Sequence, residues 1–321
     1  MKRKYAVITG FLGQLRDRFA EYQPRRELAE MLDMAARIRG CLGVEVVYPQ
    51  NFAEPGGIKQ LLQDRGLGVA AVNLNVKSEE KWRFGSFSSP DPEVRKEAVS
   101  YLTRAMDAAA ELGCNLVTTA LLNDGADYPF ELDYVRAFND ALAGIREAAE
   151  HRSDVRISLE YKASEPRTHC LLNNAGKMAY FCSLVGKDHV GVTLDVGHAL
   201  QCLERPADSA AFLGATGKLF YVHINDNYRN WDWDLVPGTV NLWDYLEFVL
   251  YLKTVGYDNW ITADVFPQRH DPVRIMEKTF EWLDFIFDTV ERMDDETLFD
   301  MMNNRDAFDV LDYVRTVLAE K

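Results

Sequence analysis

The sequence predicts an α/β protein, a (β/α)8 TIM barrel with a C-terminal helical extension. Three observations support this fold class. Short runs rich in β-branched residues alternate with longer amphipathic segments, eight such runs occur, and several of them are apolar without interruption. Continuous apolar runs are typical of strands buried on both faces of a parallel sheet, and strand–helix units in series favour a closed barrel. A doubly wound open sheet is the main alternative on strand number alone.

The eight runs define the predicted strands in chain order. They are Tyr5–Thr9, Val44–Val47, Gly68–Asn75, Leu116–Thr119, Arg156–Glu160, Val190–Asp195, Leu219–His223 and Trp260–Asp264. In the segments between and after them, apolar residues recur at helical spacing. The clearest predicted helices are Glu93–Leu112, Leu132–Glu150, Asn174–Val185, Leu242–Val255 and Pro272–Val290. Pro92 and Pro272 suit the first turn of a helix, and Gly113 marks a helix end.

The length is compatible with one barrel domain and a short tail. We assign residues 1–293 to the barrel and residues 294–321 to a C-terminal tail of one or two helices. A TIM barrel of about 250 residues or more is common, so the chain does not need a second domain. The tail can pack on its own barrel or contact a neighbouring subunit, and we expect a homo-oligomer.

The composition limits the cellular compartments and the classes of partner that we expect. Lys and Arg number 36 and Asp and Glu number 50, which gives a formal charge of −14 and argues against a nucleic-acid partner. The five cysteines include no CxxC pair, so free thiols in a reducing compartment are expected. No apolar run resembles a signal peptide or a membrane span, and we expect a cytoplasmic protein without membrane contact.

Four consecutive late strands end on potential metal ligands. Strand five ends on Glu160, strand six on Asp195, strand seven on His223 and strand eight on Asp264. The carboxyl ends of the strands carry the chemistry in TIM barrels, so these side chains are expected to converge. Converging carboxylates repel one another, and a divalent cation removes that repulsion. Three carboxylates with one imidazole favour Mn²⁺, with Mg²⁺ and Co²⁺ as alternatives.

A second group of polar residues follows these strands closely. Lys162 lies two residues after Glu160, and His198 lies three residues after Asp195. Asp232 and Asp234 follow strand seven in a loop, where they join His198 as a possible second metal site. The alternative for the two aspartates is a solvated loop face.

The motifs resemble those of a known group of barrels. The segments EYKASEP, LDVGHA, HINDNYRNWDWD and ADVFP are similar to the xylose isomerase-like superfamily, and most of all to its L-rhamnose isomerases. The resemblance implies a first metal on Glu160, Asp195, His223 and Asp264. It also implies a second metal on His198, Asp232 and Asp234, although the spacing after His223 is one residue longer than in those isomerases. In the aldose isomerases the lysine that matches Lys162 faces the carbonyl end of the sugar.

Other members of the superfamily provide alternatives. The sugar 3-epimerases carry matches to His198 and Arg229, but they use glutamates on strands five and eight, whereas strand eight here ends on the shorter Asp264. The large subunit of the C-glycoside deglycosidases is similar in size and would require a small partner subunit. An aromatic wall for its glycoside could come from loop residues. They are Phe84, Phe87, Tyr228, Trp231 and Trp233.

The leading prediction is a divalent-metal-dependent sugar isomerase that interconverts an aldose and a ketose. Glu160, Lys162, His198 and Asp264 are the predicted catalytic residues. The predicted substrate-binding residues are Trp231, Arg229, Arg269 and Asn225. Two metals favour a hydride shift, and one metal favours proton transfer through an enediolate.

Two remaining possibilities concern function and substrate. A sugar-binding barrel without turnover is the non-enzymatic alternative, and the superfamily's DNA-repair endonucleases are disfavoured because only six histidines occur. The expected ligand is a small sugar or glycoside. The sequence contains no recognisable Lys- and Arg-rich phosphate pocket, which favours an unphosphorylated sugar.

Overall fold

The barrel is closed and entirely parallel. The computed structural model describes residues 2–52, 57–165 and 167–320, and eight strands within these ranges form the barrel. In chain order they are β1 (Tyr5–Ile8), β2 (Cys41–Tyr48), β3 (Gly68–Leu74), β4 (Leu116–Ala120), β5 (Arg156–Glu160), β6 (Val190–Asp195), β7 (Leu219–Ile224) and β8 (Ile261–Ala263). Each strand pairs with its sequence neighbours, and β1 pairs with β8 through Val7 and Ala263. The predicted TIM barrel is confirmed, and the open sheet is excluded.

Helices surround the barrel and follow its strands. They are α1 (Leu28–Arg37), α2 (Gly57–Gln63), α3 (Pro92–Glu111), α4 (Tyr134–Ala149), α5 (Ala175–Val185), α6 (Val196–Gln201), α7 (Pro206–Ala215), α8 (Leu242–Thr254), α9 (Pro272–Glu291), α10 (Asp295–Asn303) and α11 (Ala307–Ala319). Asp91 and Asp271 cap α3 and α9 through their side chains, and each of these helices begins with proline.

The interior of the barrel contains a buried polar chain beneath the strand ends. The Oγ1 atoms of Thr118 and Thr193 lie 2.8 Å apart, and Thr193 donates to Oγ of Ser158 at 2.7 Å. All three side chains are fully buried. Because each hydroxyl has a partner, this layer fills the barrel without an unsatisfied polar group.

Two small sheets lie at the carboxyl end of the barrel. Leu15–Arg16 and Glu21–Gln23 form a hairpin after β1. Thr168–Cys170 pairs with Gly125–Ala126 and with Ser164–Glu165 in a three-stranded sheet. These strands have two or three residues each and therefore lack a detectable period in the sequence. They fix the loops that follow β1, β4 and β5.

The C-terminal tail packs on its own barrel. Leu298 of α10 and Val317 of α11 are buried in the same hydrophobic core as the barrel helices. Lys253 of α8 forms an ion pair with Asp295 at 2.7 Å, which ties the start of α10 to the barrel. The division at residue 293 and a contact of the tail with another subunit stay predictions.

The cysteines and the helices bear on two expectations from the sequence, free thiols and the lack of a membrane span. All five cysteines are unpaired. Burial raises the pKa of the Cys114 thiol to about 11, so this thiol is a packing group at neutral pH. Among the described helices, none has the length and apolar character that a membrane crossing requires.

Candidate metal centre

The four predicted ligands of the first metal come together at the carboxyl end of the barrel. Glu160 and Asp195 are the last residues of β5 and β6, His223 lies in β7, and Asp264 directly follows β8. One ligand atom from each lies within 4.8 Å of all the others. Asp195 and His223 are direct neighbours in the register of β6 and β7, so the parallel pairing itself brings them together.

His223 presents one ring nitrogen to the carboxylates and the other to a separate acid. Its Nδ1 lies 3.3 Å from Oε1 of Glu160 and 3.4 Å from Oδ2 of Asp264. Its Nε2 lies 2.9 Å from Oε2 of Glu45, and both side chains are fully buried. When Nε2 donates to Glu45, the neutral imidazole directs its Nδ1 lone pair at the cluster.

Glu45 is the functional residue that sequence reasoning missed. It lies in β2, and it also accepts a hydrogen bond of 2.6 Å from Nδ2 of Asn73. A carboxylate behind a metal-binding histidine fixes the ring and makes it a stronger ligand. The available signal was one acidic residue inside the apolar run Val44–Val47, but the sequence did not reveal that it faces His223.

The donor set fits a divalent cation. The cluster gathers three carboxylates around Nδ1 of His223, and a cation at its centre would offset their mutual repulsion. Without a metal, burial and the nearby carboxylates of Asp264 and Glu160 raise the pKa of Asp195 to about 7. Although burial opposes it, Glu45 and Glu160 raise the pKa of His223 well above its usual value. Oxygen donors with one nitrogen suit Mn²⁺, Mg²⁺ or Co²⁺.

Asp195 is held in a single orientation from two directions. Its Oδ1 accepts from the backbone N–H of His198 at 2.8 Å and thereby caps α6. The side-chain amide of Asn225 donates to both oxygens, at 3.1 and 2.9 Å. A Cβ on Gly197 would collide with the Asn225 side chain, so glycine is required for this packing.

The predicted second site has a different arrangement. His198 lies between two carboxylates, with Nδ1 3.1 Å from Glu160 and Nε2 3.1 Å from Asp232. The Lys162 ammonium contacts Oδ2 of the same Asp232 at 2.7 Å and also pairs with Glu165. Within the described ranges, the set that converges as a metal-binding group is the first one alone. The Lys162 ammonium provides a positive charge beside Asp232, and a second metal on His198, Asp232 and Asp234 stays a prediction.

Electrostatics favour the charged forms of Lys162 and His198 but the neutral form of Asp234. Although burial opposes it, Asp232 and Glu165 raise the pKa of Lys162 well above its usual value. Burial likewise opposes ionisation of His198, but Asp195 and Asp232 raise its pKa. Burial raises the pKa of Asp234, and Asp232 and Asp264 raise it further, so this carboxyl favours its protonated form.

The four predicted substrate-binding residues lie away from the open cavity. Asn225 is fully buried behind Asp195, where it orients the ligand. Arg229 donates to Asp244 at 2.8 Å and so braces its loop against α8. Arg269 lies beside Asp17 and Tyr22. Trp231, like the two arginines, is absent from the cavity wall.

The predicted aromatic wall is dispersed. Phe87 is fully buried in the hydrophobic core because Asp124 holds the flanking Ser86 and Ser88 and turns this loop inward. Phe84 is exposed, with Arg83 over its ring. Tyr228 and Trp233 are also exposed. None of these rings lines the cavity above the metal centre.

A cavity of about 680 Å³ opens above the metal centre. Glu160, Lys162, His198 and Asp264 line its floor, together with Asp232 and Asp234. The lining also includes Asn51, Asn73, Asn75 and Phe266. This volume falls in the range of roughly 300–1,000 Å³ that small-molecule sites occupy.

Comparison with known proteins identifies the family. A family model described as a xylose isomerase-like TIM barrel matches residues 32–286. The chain therefore belongs to the xylose isomerase-like TIM barrel family, as its motifs predicted. A curated relative, the xylose isomerase of Thermus thermophilus, is 29% identical over 207 residues. The matched region is 62% of this chain and 53% of that relative, so the chain spans about half the relative's length.

Solved structures share the fold over most of their length. An L-ribulose 3-epimerase superposes with a TM-score of 0.71 at 19% identity, covering 91% of this chain and 96% of that one. A 3-keto-D-glucoside 4-epimerase from E. coli gives a TM-score of 0.68 at 16% identity, covering 88% and 99%. A D-allulose 3-epimerase from Methylomonas sp., in complex with D-allulose, gives 0.68 at 20% identity, covering 88% and 96%. At such identities these likenesses establish the fold alone.

Proposed function

We propose that the protein is a divalent-metal-dependent sugar isomerase that interconverts an aldose and a ketose. The observation that carries this proposal is the convergence of Glu160, Asp195, His223 and Asp264 beside a sugar-sized cavity whose lining includes Lys162 and His198. Relatives named as a xylose isomerase and as sugar epimerases support a sugar substrate. We infer Mn²⁺ as the cation, with Mg²⁺ and Co²⁺ as alternatives.

The cation and the residues near it have separate tasks. A bound divalent metal supplies Lewis acidity that polarises a carbonyl oxygen and stabilises charge on the neighbouring oxygen. Lys162, charged and fixed by Asp232 and Glu165, orients the carbonyl end of the sugar by hydrogen bonding. Glu45 and Asn225 keep His223 and Asp195 in position.

The chain's own residues provide a route for the proton. Glu160 takes the proton from the carbon beside the carbonyl, exchanges it with solvent, and delivers a proton to the former carbonyl carbon. His198 lies 3.1 Å from both Glu160 and Asp232, so it can shuttle the hydroxyl proton between the two sugar oxygens. We favour this proton transfer over a hydride shift because Lys162 occupies the place beside Asp232 that a second metal would need.

Asp264 favours isomerisation over 3-epimerisation. Epimerisation by paired acids requires the strand-eight carboxylate to reach a substrate carbon. Oδ2 of Asp264 already lies 3.4 Å from the ligating nitrogen of His223, and its side chain is only 16% exposed. With this short side chain drawn into the metal cluster, Asp264 acts as a ligand. The epimerase alternative rests on the structural likeness to several sugar epimerases.

The test is turnover of aldose–ketose pairs by the Mn²⁺-loaded protein in D₂O, followed by NMR. We expect interconversion that a chelator abolishes and Mn²⁺ restores, with deuterium entering the product at the carbon that receives the proton. Inversion at C3 of a ketose would favour the epimerase instead. Retained metal without turnover of any pair would refute the isomerase, and cleavage of a glycoside that requires an added subunit would favour the deglycosidase.

A matched pair of variants isolates the proton route. We expect His198→Gln to lower kcat by about 10²–10⁴. His169→Gln, on an exposed strand of the three-stranded sheet, is expected to leave kcat unchanged. Equal rates for the two variants would remove His198 from the mechanism. Homo-oligomerisation, a small partner subunit and a cytoplasmic location stay predictions.

A further inference from the structure

The loops after β1 and β3 contribute an unexpected set of cations to the cavity lining. Arg16, Arg25 and Arg26 from the loop after β1, and Lys77 from the loop after β3, line the same cavity as Glu160 and its neighbours. We name these four residues the cationic rim. They are far apart in sequence, which explains why no basic run predicted them.

Among the described residues, no carboxylate forms an ion pair with the rim. In the part of the chain that the structure describes, ion pairs within 4.0 Å join many of the Lys and Arg residues to carboxylates, but none of them involves a rim residue. Four unneutralised cations around one opening create a local positive potential.

Two of the rim residues have defined local supports. Arg26 donates to the carbonyl oxygens of Leu12 and Gly13 at 3.0 and 3.3 Å, so its charge is fixed in the wall without being cancelled. Oδ1 of Asn75 accepts from the backbone N–H groups of Lys77 and Ser78, which fixes the turn that carries Lys77. Arg16 and Arg25 are exposed and project from the mouth.

The cavity lining therefore carries charges of both signs. The carboxylates of Glu160, Glu165, Asp232 and Asp264 follow β5, β7 and β8, where Lys162 pairs with Glu165 and His198 with Asp232, and a bound metal would offset the others. The rim comes from the β1–β3 side. A sugar with its reacting carbons at the metal would extend its far end toward the rim.

We propose that the substrate is an anionic sugar whose phosphate or carboxylate group binds the cationic rim. This inference rests on the proposed function for the placement of the reacting end, and it reverses the expectation of an uncharged sugar. Guanidinium groups bind phosphate and carboxylate through paired hydrogen bonds, and the ammonium of Lys77 adds a point charge. Asn51 in the same lining is held in place by Thr9 Oγ1 and the backbone N–H of Val47, which both donate to its Oδ1.

Three sugars with the same carbon chain test the proposal by calorimetric binding to the Mn²⁺-loaded protein. The probes are D-glucose, D-glucose 6-phosphate and D-glucuronate. We expect at least one anionic sugar to bind about tenfold more tightly than D-glucose, with an advantage that shrinks as ionic strength rises. A preference for the phosphate or for the carboxylate identifies the anionic group.

Variants of the rim separate it from the metal, which can itself attract an anion. Arg16→Gln and Arg25→Gln are each expected to weaken binding of the anionic sugar by about fivefold to tenfold, because an exposed charge-assisted contact contributes less than a buried one. D-glucose binding should not change. Arg18→Gln is the matched control, since Arg18 is on the same hairpin but its guanidinium lies over the Phe19 ring.

The outcomes separate this inference from the proposed function. Anionic sugars that bind no better than D-glucose, or a preference that survives both substitutions, would overturn the cationic rim as a binding site. A rim-dependent preference without turnover would leave the rim intact and refute the isomerase. Turnover of neutral aldoses without any preference for anionic sugars would support the isomerase and overturn the cationic rim.

Discussion

Replacing Glu45 with glutamine tests the support of the metal centre most directly. The Glu45→Gln variant keeps the volume of the side chain but removes its charge. Its amide must present either its oxygen or its nitrogen to Nε2 of His223, and the other to Asn73, so one of the two hydrogen bonds is lost. We therefore expect a less basic and less ordered His223 and a weaker metal site.

The magnitude follows from the burial of the contact. The Glu45–His223 distance is 2.9 Å, and both side chains are fully buried. Hydrogen bonds to charged groups contribute about 1.5–3 kcal/mol, and loss of a carboxylate behind a metal-binding histidine weakens metal affinity by about 10–100-fold. Since each tenfold change is about 1.4 kcal/mol, the two ranges agree.

The assay is Mn²⁺ affinity measured by competition with a chelator, with folding verified by circular dichroism. Asp124→Asn is the matched control, because Asp124 is a buried carboxylate that accepts from Ser86 and Ser88 rather than from a ligand. It should lower stability without changing the Kd for Mn²⁺. If Glu45→Gln binds Mn²⁺ as tightly as the wild-type protein, the reasoning about Glu45 is wrong.

Two further predictions concern pH and the tail. The pKa of Asp195 is raised to about 7, so the metal-free fold prefers the protonated carboxyl. The stability of the metal-free fold therefore declines as pH rises from the pKa of this carboxyl in the unfolded chain toward about 7. Metal binding requires the ionised form, so the Tm increase caused by Mn²⁺ should grow between about pH 5 and about pH 8 in calorimetric scans; a constant increase would contradict this. In the tail, Leu298→Ala should lower the free energy of unfolding by about 2–4 kcal/mol in urea titrations, because Leu298 is buried. Leu311→Ala, with 47% of the residue exposed, should change it by less than about 1 kcal/mol. Equal effects would mean that the tail does not pack as described.

The barrel and the convergence of the four candidate ligands could be predicted from the sequence for one physical reason. Strands buried on both faces give uninterrupted apolar runs, and a polar residue at the end of such a run must lie at the end of the barrel. Glu160 and Asp195 illustrate this, since each is the last residue of its strand. Neighbouring parallel strands then bring the side chains together without further information.

Contacts across the barrel could not be predicted in the same way. Glu45 and His223 are 178 positions apart, and Lys162 reaches Asp232 from a different loop. The contacts of loop side chains were even harder to predict. Arg229 suited a sugar by its place after strand seven, but a carboxylate on α8, Asp244, binds it instead. Such outcomes depend on loop geometry, which has no period in the sequence.

The close packing at Gly197 restricts how this sequence can evolve. The Asn225 side chain occupies the space that a Cβ at position 197 would need, and the same side chain holds Asp195. A single change at position 197 therefore reaches the metal through two intermediate contacts, although Gly197 itself carries no chemistry. Descendants of this protein that keep the metal are expected to change positions 197 and 225 together or not at all.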